Sequence, residues 1–106
     1  MSCENTTFSN KDPLELVNLT FNFEPAMGAN EFIQSITSVA VEVIAGEDPT
    51  PSAILTGTPL INIGGLSIQQ PCTGGLVDVS YRIAVLCLTT AGQELICAGT
   101  LTIQEA

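Results

Sequence analysis

Four cysteines and eleven carboxylates are the residues of this 106-residue chain best suited to covalent or metal chemistry, and their spacing serves neither. Cys3, Cys72, Cys87 and Cys97 form no CxxC pair, and there is no histidine to complete a zinc site or to act as a general base. Nearly all the acidic residues fall in predicted loops or on the solvent faces of predicted strands, where carboxylates ordinarily solvate a sheet and do not form a catalytic pair. Glu47 and Asp48 offer hard oxygen ligands for calcium, but the spaced D-x-D-x-D-G loop is missing. Gly64-Gly65 and Gly74-Gly75 precede neither a helix nor a Lys-Ser/Thr pair, so they read as tight turns and not as a phosphate cradle. The expectation is a protein without catalytic residues, cofactor or metal.

Charge narrows the partners. Lys11 and Arg82 are the only basic residues, and the formal net charge is −9. Such a chain cannot neutralise a phosphate backbone, and an anionic membrane surface repels it. Neither nucleic acid nor membrane is therefore expected as a partner. The first residues have no basic segment followed by an apolar one, so no secretory signal is read, and no apolar run approaches bilayer length. Without a secretory route, the sequons at Asn5 and Asn18 carry no weight. In a reducing cytoplasm the four cysteines are expected as free thiols, with Cys3 the most exposed; the alternative is a Cys87–Cys97 bridge across the last hairpin.

The elements that must position these residues are strands. Val, Ile and Thr make up 29 of the 106 residues (7, 10 and 12), a composition that favours strands. Period-two alternation recurs, and no segment keeps a helical period for three turns. The clearest run is 77–89, where Val79, Tyr81, Ile83, Val85 and Cys87 share one face. After a turn at 90–92, a second run over 93–104 places Leu95, Cys97, Leu101 and Ile103 together, with Gly99 as a candidate bulge. Further strands are expected at 17–23, 35–45, 53–57, 60–63 and 66–70, with loops at 25–31, 46–52 and 71–75. Seven short strands with short connections predict an antiparallel immunoglobulin-like β-sandwich over 14–106. Tyr81, the only tyrosine, stands where such sandwiches place a corner lock.

Residues 1–13 are polar and read as a flexible N-terminal arm, with Phe8 as its apolar anchor and Lys11 as its one positive charge. Leu86, Leu88, Ile96 and Ala98 occupy the outer face of the last hairpin, where an apolar patch marks a partner unless the loop 46–52 or the arm covers it. Phe8, Lys11, Leu86, Leu88 and Ile96 are thus the candidate partner-binding residues. An arm of this kind can be deleted with little change in melting temperature and a loss of assembly.

The order of motifs adds a resemblance. Lys11-Asp12-Pro13 and Leu19-Thr20-Phe21-Asn22-Phe23 come first, then Pro51-Ser52-Ala53-Ile54-Leu55-Thr56-Gly57. Gly74-Gly75, Val77, Val79, Tyr81 and Ile83 follow, and Thr90-Ala91-Gly92 and Thr100-Leu101-Thr102 close the series. Over most of residues 11–104 this resembles a family of small proteins encoded among the head and neck genes of tailed bacteriophages. The chain is more polar than that pattern over 8–24 and differs in its four cysteines. The resemblance implies a non-enzymatic virion structural protein, assembled in the host bacterial cytoplasm. A capsid cement or decoration protein on the outer shell, bound to the major capsid protein and repeated as a homo-oligomer, is the first expectation. A neck or tail component is the alternative, and a ligand- or sugar-binding module on the virion is the third.

Overall fold

The structure, a computed structural model, describes residues 6–105. Strands β1 (Thr6–Thr7), β2 (Leu16–Asn22), β3 (Ile33–Ala45), β4 (Leu60–Ile61), β5 (Ser67–Thr73), β6 (Ser80–Thr89) and β7 (Glu94–Thr102) form two sheets, in the orders β1-β7-β6-β3 and β2-β5-β4. Six strands pair antiparallel, three to a sheet, and β1 is a two-residue strand added parallel to β7. The all-β sandwich expected from the alternation is therefore what forms, with six antiparallel strands instead of seven.

Alternation decides which side chains enter the core. On β6, Tyr81, Ile83, Val85 and Cys87 point inward and are fully buried, while Arg82, Leu86 and Leu88 lie half-buried on the outer face. On β7, Leu95, Cys97 and Leu101 oppose Cys87, Val85 and Tyr81 in register. The second sheet contributes Leu19, Phe21, Ile68 and Cys72, and each large side chain removed from water supplies about 1.5–3 kcal/mol. The hairpin closes as expected: Gly92 takes φ +81°, and its N–H reaches the Thr89 carbonyl at 3.0 Å.

Three segments differ from expectation. The strand expected at 53–57 does not form: residues 51–54 make a 3-10 turn, and a single bridge from Leu55 to Cys72 follows. Pro51 fixes φ at the start of that turn and has no N–H for a ladder. Pro71, expected to begin a loop, lies inside β5, opposite Asn18 of β2, and its carbonyl accepts from the Thr56 N–H at 3.1 Å, a bond that needs no N–H from the proline. Gly99 is no bulge, since it pairs with Ile83 in an unbroken register.

The fourth difference concerns the flexible arm. From residue 6 onward the segment is part of the sandwich. Thr6 and Thr7 pair with Gly99 and Thr100, and the Phe8 and Lys11 N–H groups donate to Thr100 and Thr102 at 2.9 and 3.0 Å. The Phe8 ring meets Phe21 edge-on with centroids 5.3 Å apart. Lys11 is 1% exposed, and its ammonium donates to the carbonyls of Asp12 (2.9 Å) and Gly74 (2.7 Å). Burial lowers the Lys11 pKa against the opposing pull of Glu15, Cys72 and Asp12.

Tyr81 forms the expected lock and adds a partner. Its hydroxyl accepts from the Leu76 N–H at 3.1 Å and donates to Asp48 Oδ2 at 2.6 Å. Asp48 Oδ1 accepts from the Thr50 N–H at 2.9 Å, so the loop after β3 is pinned beneath β6. These bonds, the tyrosine's first, hold the Asp48 carboxyl below its ordinary pKa. A group depressed in this way stabilises the fold above its unfolded pKa and ceases to do so as pH falls through the folded value. Tyr81→Phe is therefore expected to cost about 1–3 kcal/mol at pH 7, from the two lost bonds. The gap between the melting temperatures of variant and wild type should narrow once the pH falls below about 4. Thermal melts of both proteins at pH 7 and pH 3 check this, and a gap that widens in acid contradicts it.

Candidate functional site

The outer face of the β3–β6–β7 sheet is built in rows set by register. Ala40, Ala84 and Ala98 stand side by side across the three strands, and Ser38, Leu86 and Ile96 form the next row. On the other side of the alanines, Glu42, Arg82 and Thr100 make a polar row, with Arg82 Nη1 3.5 Å from Glu42 Oε1. The alanines form a low floor between taller neighbours. Ala84 and Ala98 are buried although they face outward, whereas Ile96 remains 42% exposed. The result is a shallow concavity whose lining includes Ala40, Glu42, Arg82, Ala84 and Ile96. An ion pair this exposed contributes under about 1 kcal/mol, so it frames the patch more than it stabilises the fold.

The structure divides the five candidate partner-binding residues. Leu86, Leu88 and Ile96 share the outer face, with Leu88 opposite Glu94 at its end. Phe8 and Lys11 turn toward the domain instead: the half-buried ring packs against the core, and the buried ammonium is enclosed by carbonyls. A charged residue in a polar leader gave no signal of this, because one of its partners, Gly74, is 63 residues away in sequence. Alternation puts Ala40, Ala84 and Ala98 on outer faces, but only the register across the three strands aligns them into a floor.

Among the described residues, no group of three His, Cys, Asp or Glu side chains is placed to hold a metal ion. Both Asp48 oxygens are engaged within the chain. Glu31, buried between β3 and the hairpin turn, accepts hydrogen bonds from the Thr89 hydroxyl and the Gly28 N–H, which depress its pKa. Cys72 and Cys87 are free and buried, and burial pushes the Cys72 thiol up to about 11, far from a reactive thiolate. Cys97 departs from the expected free thiol and is disulfide-bonded. Its partner is not Cys87, which stays free and faces Leu95, while Cys97 faces Val85. Cys3, expected as the exposed thiol, lies outside the described residues. No protein-family model matches this chain, and no curated protein matches it.

Proposed function

We propose that this chain is a non-enzymatic structural subunit of a tailed-bacteriophage virion, acting as a cement or decoration protein on the outer capsid surface. The observation that carries the proposal is the apolar outer face, where Ile96 and Leu86 flank an alanine floor on a rigid three-strand platform. A small patch of this kind gives a weak contact. Repetition by the symmetry of a shell converts many weak contacts into a stable layer that bridges neighbouring major capsid subunits. Both cations are engaged, Lys11 by carbonyls and Arg82 by Glu42, so the exterior is strongly acidic and free copies stay soluble without adhering to DNA. A disulfide at Cys97 suits a particle that leaves the reducing cytoplasm in which it is assembled. The resemblance of the motif order to phage head and neck proteins points the same way. The contact surface is assigned to the sheet face and not to residues 6–13, whose backbone pairs with β7 and whose Phe8 and Lys11 side chains turn to the domain.

A ring component at the neck or tail is the second reading, favoured by the same face and separated from the first by copy number. Quantitative mass spectrometry of purified virions, relative to the major capsid protein, is the test. On the order of hundreds of copies is expected for a shell protein, whereas roughly six to twelve would indicate a ring. Absence from the particle would overturn both and leave the ligand-binding module.

A further inference from the structure

The four-stranded sheet ends on one side in a long open edge. β3 runs 13 residues at the outside of the order β1-β7-β6-β3, with β6 as its only ladder neighbour among the described residues; the 3-10 turn at 51–54 packs near it without a backbone bond to it. Among the described residues, no backbone group of residues 34–45 bonds to any turn or loop. Other edges are shorter: β1 and β4 have two residues each and β2 seven. Natural edges of this length usually carry lysine, proline or bulges that prevent another strand from adding. β3 has neither lysine nor proline, and its register shifts fall between residues 33 and 38 and again after 43. The stretch from Ser38 to Val43 therefore pairs without interruption, and its only charge, Glu42, is matched by Arg82.

We propose that Ser38–Val43 is a strand-addition site that takes an extended, basic segment of a partner protein, antiparallel or parallel to β3. This deepens the assembly reading above and rests on it for the partner being a protein. Backbone groups on the open edge supply the hydrogen bonds. The alternation of Val39, Val41 and Val43 with Ser38, Ala40 and Glu42 requires an occupant alternating in the same way, since the added strand extends both faces of the sheet. Charge selects among strands. The chain carries −9, and Glu47 and Asp48 lie just beyond the end of β3, so a segment with lysine or arginine at its ends is attracted. A second copy of this chain would bring another −9 to the same edge, which argues against pairing of β3 with itself.

The probe is a synthetic ten-residue peptide of alternating valine and threonine with two lysines at each end, added to the full-length protein. Amide hydrogen exchange, read residue by residue, is the measurement. The lysine peptide should slow exchange of the alternate amides within Ser38–Val43 that point to the open edge by at least about tenfold at saturation, because a hydrogen-bonded amide exchanges only on opening, while the amides already bonded to β6 change little. The effect should weaken as salt is raised. The same peptide with glutamate for lysine, or with alternate backbone nitrogens methylated, should leave exchange unchanged. Protection confined to other strands, or equal binding of the glutamate peptide, overturns the proposal. So does concentration-dependent protection of the same residues without peptide, which would make the occupant a second copy. Failure here beside a high copy number in virions would reject the strand-addition site and leave the assembly reading in place.

Discussion

Deleting residues 1–12 should lower the melting temperature by about 20 °C or leave the chain unfolded. The segment that looks like a detachable leader supplies backbone bonds at Phe8 and Lys11 to β7, and the Gln104 N–H returns one to Lys11 at 2.9 Å. Each such bond is worth about 1 kcal/mol net. The Phe8 ring on Phe21 adds about 2 kcal/mol of burial. Removing the Lys11 ammonium takes a donor from the Gly74 carbonyl, which lies 2.7 Å from it. Together these approach about 5 kcal/mol, at or near the whole stability of a marginal domain of this size. At about 4–8 °C per kcal/mol, the loss is plain in a thermal melt. A fall of less than about 5 °C would show that these contacts do not hold the arm in solution. The expectation of an inert leader would then return.

The parts of the fold legible in the sequence are those fixed by neighbours two residues apart. Tyr81, Ile83, Val85 and Cys87 announce a half-buried strand because pleating sends alternate side chains to one side, whatever lies opposite. The same parity placed Leu86, Leu88 and Ile96 on the outer face. What could not be read depends on residues far apart in sequence. Lys11 is buried because a carbonyl from residue 74 is there to receive its ammonium, and Phe8 has a seat because residue 99 lacks a Cβ. Ile54 and Leu55 carry strand-like side chains, but Pro51 starts a turn that overrides them. The openness of β3 is a property of sheet order: its sequence would serve equally well as a central strand. The candidate face was thus partly visible: parity puts its apolar residues, alanines included, on the outer side, and only register lines Ala40, Ala84 and Ala98 up into a floor.

Gly99 makes the docking of the arm testable at one atom. It sits on β7 opposite Ile83 and beside Thr6, in ordinary extended pairing, so backbone freedom is not what the position requires. The requirement is space. A Cβ there would overlap Phe8 Cε2 and lie 2.9 Å from Cζ, closer than real methyl contacts. The Phe8 ring is half-buried and can swing outward, whereas the β7 backbone is held between two ladders. Gly99→Ala should therefore eject the ring from Phe21, with a cost of about 2–3 kcal/mol from its lost burial and aromatic edge contact. Phe8→Ala should cost a similar amount by removing the same contact. The two changes act on one interaction, so their costs should not add. In a Phe8→Ala background the new methyl fills vacated space, and Gly99→Ala should be close to neutral or mildly stabilising. Chemical denaturation of the wild type, both single variants and the double variant measures the coupling. Additive costs would place the Phe8 ring away from Gly99 and detach the arm from β7.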